Sequence, residues 1–359
     1  MAEERDSIDP AAVTVVPESA VHAAHGSSLG DVPGVRSRRS LAVAAVIGIP
    51  ASAVFLLLAI RGADLGAVWR TLQQVSVAPL LGAVGCMAVV YWLQAARWRR
   101  IADTRLGQRR FVEMVVAGVA VNNVLPGRVG DILRARWVSR GAFSGGKGLA
   151  TVVIDRAFDI LALAVFLGVS LPFVTDAGWV DRILLGTVVA LAAIVTVVVV
   201  ARTYTRRRPR SRRGQRGLPR RVLRDTLEGL SDPISNAKAV GLGALSVGAW
   251  VAWAFAAILA ARSVGIELSL VEAIFVTAAL NLGVAIPSSP GFVGTYQWLG
   301  VSALGVLGIA SEGGLAFAIV MQAVWYVPTT LVGAALLVAQ MRGGLRFSAP
   351  ARSGSSSGG

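Results

Sequence analysis

Cysteine and histidine are almost absent from this chain of 359 residues. Cys86 is the single cysteine, which excludes an internal disulfide bond and a metal site built from cysteines alone. The two histidines, His22 and His25, both lie near the polar N-terminus. The apolar remainder therefore has no imidazole for a Ser-His-Asp triad or a histidine-based zinc site. We expect the protein to hold no metal and no cofactor.

Charged residues are also scarce. They make up 15% of the chain, whereas soluble proteins average about 25%, and the mean hydropathy is +0.66. This composition argues against a soluble enzyme. The net charge of +15 lies beside apolar segments rather than on one soluble face, so we expect no nucleic-acid partner.

Long apolar runs indicate an all-α, polytopic membrane bundle within residues 40–342. Residues 1–39 and 343–359 are polar, and we expect them to form disordered tails. A span needs about 20 apolar residues. Six runs fit this length: Leu41–Ile60, Ala78–Ala96, Leu149–Ser170, Ile183–Ala201, Ala239–Ala261 and Gly313–Met341, the last interrupted by Pro328.

Two further apolar segments are broken by proline and glycine. Phe111–Val138 breaks at Pro126 and Gly127, and Leu270–Ile309 breaks around Pro290, Gly291 and Gly294. We predict two re-entrant hairpins of broken helices, which makes eight or more hydrophobic segments. Pairs of full spans would satisfy the same connectivity.

The arginines predict the orientation. Arginines precede the first span, follow the second and the last, and ten of them crowd residues 206–224 in the loop 202–238. The loops 61–77 and 172–182 hold few positive charges. The positive-inside rule then places both termini in the cytoplasm. On this topology the first broken segment opens to the cytoplasm and the second to the outside.

The two broken segments resemble each other. Each has Val-Glu, then Asn nine residues after the Glu, then Pro-Gly-x-Val-Gly; the second copy carries five extra residues before that motif. The motif spans 126–130 in the first copy and 290–294 in the second, so Gly130 corresponds to Gly294. We interpret the halves, about 41–171 and 183–341, as an inverted repeat, because each contains an odd number of crossings.

The first hairpin carries Asn122, Asn123, Arg128, Asp131 and Arg134. A broken-helix tip exposes backbone N–H groups, and a guanidinium binds phosphate bidentately, so this set is a candidate head-group site. The alternative is that Arg128 and Asp131 pair to hold the tip together.

Two further polar sets complete the candidate binding residues. Asp155, Arg156 and Asp159 lie within an apolar run, where uncompensated charge is costly. They either line a cavity for a head group or a proton, or clamp the third span to the first hairpin. The second hairpin contributes Asn281, Ser289, Tyr296 and Gln297. The alternative for its serines is to satisfy backbone groups freed by proline.

Three stretches together resemble the lysylphosphatidylglycerol synthase transmembrane family, also called flippase-like: residues 122–131, 155–159 and 287–295. The resemblance covers about residues 40–342. It implies an integral membrane protein related to the flippase portion of bacterial multiple peptide resistance factors, with relatives in glycolipid and polyprenyl-sugar pathways.

The chain departs from this family at several points. Many members have Glu at the positions of Asp131, Asp155 and Gln297, and the last difference removes a charge that proton coupling would use there. In the family the synthase domain follows the membrane part. Since this chain ends at Gly359, we expect that domain to be absent, which weighs against an enzyme.

The favoured function is a flippase-like protein of the cytoplasmic membrane that transports a phospholipid or another anionic amphiphile. The alternative is a membrane-embedded transferase, or an accessory subunit, for lipid-linked sugar or aminoacyl-lipid metabolism. The expected partners are membrane lipids, with a lipid-modifying enzyme as a further candidate. The lipid, the direction and energy source of movement and the oligomeric state are left open.

Overall fold

A computed structural model describes residues 50–125, 128–139, 145–174, 225–226, 235–284 and 290–342. In these ranges the chain forms ten α-helices and no strand: α1 (Pro50–Ile60), α2 (Leu65–Gln73), α3 (Val77–Ala102), α4 (Gln108–Val124), α5 (Val129–Ser139), α6 (Gly145–Val174), α7 (Asn236–Ser263), α8 (Leu270–Gly283), α9 (Thr295–Val306) and α10 (Ser311–Met341). A short 3-10 turn, Pro290–Phe292, precedes α9.

Four helices are long and apolar enough to cross a membrane. They are α3, α6, α7 and α10, with 26, 30, 28 and 31 residues. Helices α1 and α2 meet at an 87° bend and add a fifth candidate if they are counted as one span. The prediction of an all-helical membrane bundle is therefore confirmed. The fourth predicted span, nearly all of the basic loop and both tails lie outside the described residues.

Each broken segment forms two short helices. In the first, α4 has 17 residues and α5 has 11; in the second, α8 has 14 and α9 has 12. All four are shorter than the roughly 20 residues that a span requires. Helix α4 packs against α5, and α8 packs against α9, so each pair folds back on itself.

Helices α3 and α7 form the most extensive contact of the bundle. Around this pair, the first arm of each broken segment packs on the long helix of the other half: α4 on α10, and α8 on α6. The second arms pack locally, α5 on α6 and α9 on α10. The core is made largely of alanine and aromatic side chains from these helices.

Close helix approaches depend on glycine. An added Cβ at Gly130 of α5 would lie 1.9 Å from the carbonyl oxygen of Gly118 in α4. At Gly294, where φ is +88°, a Cβ would lie 2.1 Å from the carbonyl oxygen of Ser52 in α1. Each Pro-Gly-x-Val-Gly motif therefore contains a glycine that lets two backbones touch.

The variable position of each motif has the same unusual backbone conformation. Arg128 has φ of +57° and Phe292 has φ of +60°, in the left-handed region that non-glycine residues rarely adopt. The two motifs thus share a local backbone conformation as well as residue types.

Helix α10 does not stop at Pro328, in contrast to the interruption expected from the sequence. The hydroxyl groups of Thr329 and Thr330 donate to the carbonyl oxygens of Trp325 and Tyr326 in the preceding turn. The helix continues through Pro328 with these side-chain bonds in the turn before it, although proline itself donates no backbone N–H.

Candidate functional site

Arg97, near the end of α3, is completely buried. Its Nε donates to Asp155 Oδ1 at 2.8 Å, and its Nη1 donates to Asp159 Oδ1 and to Ser246 Oγ, both at 2.8 Å. One guanidinium therefore joins α3 to α6 and α7. Trp250 Nε1 of α7 also donates to Asp159 Oδ1, at 3.2 Å.

The first hairpin continues this network through α5. Arg134 Nη2 donates to Asp155 Oδ2 at 3.1 Å, and Arg156 Nη2 donates to Asp131 Oδ1 at 3.0 Å. The guanidinium carbon of Arg134 lies 4.3 Å from the centre of the Trp98 ring. These pairs form the clamp between the third span and the first hairpin that the sequence offered as an alternative.

We call these six residues the charge cluster: Arg97, Asp131, Arg134, Asp155, Arg156 and Asp159. Three cations balance three carboxylates. Five of the six side chains are at most 12% exposed, and Arg156 is 34% exposed. Helical spacing makes the cluster possible, because residues three or four apart in α5 and α6 share a face.

The six charged side chains can be buried only because they pair with one another. An ion taken out of water loses several kcal/mol of hydration, and close pairing with hydrogen bonds recovers that loss. Each carboxylate of the cluster receives at least one guanidinium within 3.1 Å. The cluster is therefore neutral and tightly held.

Arg128 stands apart from this balance. Its side chain is exposed and forms no hydrogen bond or ion pair with any described residue. It lies close enough to Arg156 and Asp131 to interact electrostatically with both. The pairing of Arg128 with Asp131 offered by the sequence is not what holds the tip, since Asp131 pairs with Arg156 instead. Arg128 thus brings the local charge to one positive unit.

Asn122 fastens the tip of the first hairpin. Its Oδ1 accepts a hydrogen bond of 2.7 Å from the backbone N–H of Gly130, and its Nδ2 donates to Asp131 Oδ1 at 3.3 Å. The side chain of α4 thereby satisfies a backbone N–H at the start of α5, as a capping residue does. The adjoining residues Pro126 and Gly127 lie outside the described part of the chain.

Asn123, the next residue, faces α10. Its Nδ2 donates to Thr330 Oγ1 at 2.8 Å, and its carbonyl oxygen accepts from the Tyr326 hydroxyl at 3.4 Å. The end of α4 therefore touches the charge cluster on one side and α10 on the other.

The second hairpin reaches the same region of α10 through carboxamides. Gln297 Oε1 accepts from the backbone N–H of Gly294 at 2.7 Å, and Gln297 Nε2 donates to Gln322 Oε1. Gln322 Nε2 then donates to the carbonyl oxygen of Gly291 at 2.6 Å. We call the set Asn123, Gln297, Gln322, Tyr326, Thr329 and Thr330 the polar seam.

The two hairpin tips approach each other at this seam. The turn Pro290–Phe292 packs against α4, and Gly291 lies beside the Tyr326 ring. Buried Tyr91 of α3 lies close to both sets, near enough to Thr329 and Arg156 to interact electrostatically with each. Charged and neutral polar side chains are thus contiguous, with the neutral ones on the side of the second hairpin.

The remaining candidate residues are placed as follows. Tyr296 is 1% exposed, with its ring centre 5.8 Å from that of Trp325. Asn281 Nδ2 donates to the Thr277 carbonyl oxygen of its own helix at 2.8 Å, and joins neither the charge cluster nor the seam. Ser289 lies outside the described residues.

Several residues of the site were missed by the sequence reasoning. Arg97 was read as part of the basic flank after the second span, and Gln322, Tyr326 and Thr330 were not singled out. A signal for Arg97 was available: it follows Ala83 and Val90 at intervals of seven residues, so it lies on the same buried face of α3. Two aspartates in an apolar run also require a cation nearby.

Comparison with known proteins shows the family. The profile of the lysylphosphatidylglycerol synthase TM region matches residues 41–333. The chain belongs to this family. Both candidate hairpins and the whole charge cluster lie inside the matched range.

Two curated proteins show partial similarity. The chain is 27% identical over 125 residues to the UPF0104 membrane protein PH1989 of Pyrococcus horikoshii, covering 33% of this chain and 36% of that protein. It is 25% identical over 269 residues to Glycosyltransferase AglD of Haloferax volcanii, covering 61% of this chain and 42% of that protein. The chain thus spans less than half of each relative.

Proposed function

We propose that this protein moves an anionic amphiphile, such as a phospholipid, across the cell membrane, with its head group passing the hairpin tips while its tails remain in lipid. The observation that carries the proposal is Arg128. Among the described residues it is an exposed guanidinium with no hydrogen bond or ion pair, next to a charge cluster whose cations are all paired. Membrane lipids are then its immediate partners.

The chemistry of Arg128 suits a phosphate. A guanidinium binds a phosphate through two parallel hydrogen bonds, and the pair is stronger than a neutral hydrogen bond. Arg156, with 34% of its side chain exposed, is near enough to add a second cation. The other proposed binding residues, Asn122, Asp131 and Arg134, hold this surface in place.

The packing supports an inverted repeat as the basis of the movement. Two contacts of the first half have counterparts in the second: α4 on α10 matches α8 on α6, and α5 on α6 matches α9 on α10. The left-handed residues Arg128 and Phe292 also correspond. Opposed repeats with broken helices that meet near the midplane are a frequent design of secondary transporters. The proposed orientation places both termini in the cytoplasm.

A second candidate function rests on the relative named a glycosyltransferase. On this alternative the membrane region acts as a transferase, or as an accessory subunit beside a lipid-modifying enzyme, on lipid-linked sugars. Asp155 and Asp159 would be the natural acidic pair for such chemistry. Both receive hydrogen bonds from Arg97, which occupies the oxygens that a divalent cation would need. The geometry therefore favours transport.

The test uses purified protein in liposomes that contain fluorescent phosphatidylglycerol. A membrane-impermeant reductant added outside bleaches only the outer leaflet, so protein-dependent movement appears as extra bleaching. We expect movement with the intact protein and a loss of at least about tenfold in Arg128→Asn, because a hydrogen bond to a charged group contributes about 1.5–3 kcal/mol. Asparagine tolerates the left-handed backbone at this position.

The matched control is Arg262→Asn, which removes an exposed arginine in the last turn of α7. This variant should move lipid at nearly the rate of the intact protein. Equal rates in the two variants and the intact protein would contradict the role of Arg128. Conversion of the lipid to a product without movement would instead favour the transferase.

A further inference from the structure

The accessible and the buried polar groups around the hairpin tips differ in charge. Those that a head group can reach are cationic or neutral: Arg128 is exposed, and Arg156, Asn122, Tyr326 and Thr330 are half-buried. The carboxylates are the inaccessible members, with side chains of Asp131, Asp155 and Asp159 at most 12% exposed. A ligand therefore meets guanidinium, carboxamide and hydroxyl groups before any anion.

The hydrogen-bond balance of the charge cluster points the same way. Among its buried atoms in the described residues, the ones without a partner are Arg97 Nη2, Arg134 Nε and Arg156 Nε, and all three are donors. No carboxylate oxygen of the cluster is among them. The buried part of the cluster thus has spare donors and no spare acceptor, so it holds no unoccupied carboxylate oxygen for an ammonium group.

The second hairpin adds no charge to this region. The polar seam consists of two glutamines, one asparagine, one tyrosine and two threonines. Carboxamides and hydroxyls both donate and accept, so they pair well with hydroxylated groups. They offer no negative charge to balance an ammonium group.

From this arrangement we infer the substrate class, an inference that rests on the proposed function: an amphiphile with a phosphate and a neutral, hydroxylated head group, and not one that carries an ammonium group. Arg128 and Arg156 hold the phosphate. The seam, through Tyr326 and Thr330, holds the hydroxyls. A cationic head group such as an aminoacyl ester is rejected, because it enters a region of one net positive charge where every carboxylate already has a guanidinium partner. Glycerol phospholipids and polyprenyl-phosphate sugars share the selected chemistry.

The experiment compares three fluorescent lipids in liposomes that contain the intact protein: phosphatidylglycerol, a polyprenyl-phosphate hexose and lysylphosphatidylglycerol. We expect at least one of the first two lipids to move at least about tenfold faster than lysylphosphatidylglycerol. This is the size of effect that an uncompensated unit charge has in a partly desolvated site. Whichever of the two moves faster identifies the source of the head group. Equal movement of lysylphosphatidylglycerol would overturn the inference while leaving the proposed function intact.

Binding is measured in parallel by native mass spectrometry with the same lipids. If no lipid moves, the proposed transport fails, but a binding preference for the two hydroxylated lipids over lysylphosphatidylglycerol still supports the inferred selectivity. Equal binding of all three lipids would contradict it.

A pair of variants tests the electrostatic reasoning directly. Thr330→Asp places a carboxylate in the seam and can still accept the hydrogen bond from Asn123, while Thr330→Asn has the same shape without the charge. We expect Thr330→Asp to raise the ratio of lysylphosphatidylglycerol to phosphatidylglycerol movement about tenfold more than Thr330→Asn does, because both variants remove the hydroxyl and only the first adds a charge. A ratio that shifts equally in both variants would refute the charge argument.

Discussion

Replacing Arg97 with methionine should destabilise the protein more than any other single change of similar volume in the charge cluster. The side chain is completely buried and makes three hydrogen bonds of 2.8 Å. In Arg97→Met, Asp155 keeps only Arg134 at 3.1 Å, and Asp159 keeps Arg156 at 3.6 Å together with the Trp250 N–H.

The magnitude follows from the charge that is left behind. The cluster changes from neutral to one net negative charge, around carboxylates whose side chains are at most 12% exposed. Removal of one partner of a buried ion pair costs about 3–5 kcal/mol. The free energy of unfolding of Arg97→Met, measured by equilibrium unfolding in mixed micelles, should therefore fall by about that amount.

A compensating variant separates charge from packing. Arg97→Met combined with Asp159→Asn restores neutrality, and we expect it to recover at least about half of the loss, as interacting residues deviate from additivity by about 0.5–3 kcal/mol. The reasoning is wrong if the single variant unfolds within about 1 kcal/mol of the intact protein. It also fails if the double variant is no more stable than the single one.

Two further outcomes are expected. Gly130→Ala should lower the thermal unfolding temperature, because its Cβ would lie 1.9 Å from a carbonyl oxygen of the facing helix. The control Gly85→Ala, whose added Cβ would have nothing within 4 Å, should not lower it. Equal unfolding temperatures of the two variants would refute the close approach. In a Cys86→Ala background, an impermeant thiol reagent applied from outside should label Trp69→Cys but not Arg109→Cys, and the reverse pattern would invert the proposed topology.

The hydrophobic runs and their breaks could be read from the sequence because length and composition suffice for spans in lipid. Helices α7 and α10 begin within three residues of the predicted segments. Helix α3 was predicted six residues too short at its end, because the arginines after Ala96 were taken for the membrane boundary. The helix continues to Ala102, and Arg97 is buried in it because distant aspartates neutralise its charge.

The partners of the candidate residues could not be read in the same way. The i,i+4 spacing placed Asp155 and Asp159 on one face, but their shared cation comes from 58 and 62 residues earlier in the chain. The repeat equated Asn281 with Asn122, yet Asn281 bonds its own helix and the capping of Gly294 is done by Gln297. Tertiary contacts decide such pairings, and one sequence carries no direct record of them.

The distribution of ionic and neutral bonds divides the molecule by stiffness. Any motion that separates α3, α5 and α6 must break buried ion pairs, whereas a shift of α10 against the hairpin tips breaks neutral hydrogen bonds, each contributing about 1 kcal/mol, together with apolar packing on α4 and α9. The arginine-locked helices thus act as a fixed frame. We expect the motion that the proposed transport needs to occur along the glutamine and threonine contacts of α10, where no ion pair joins the described helices.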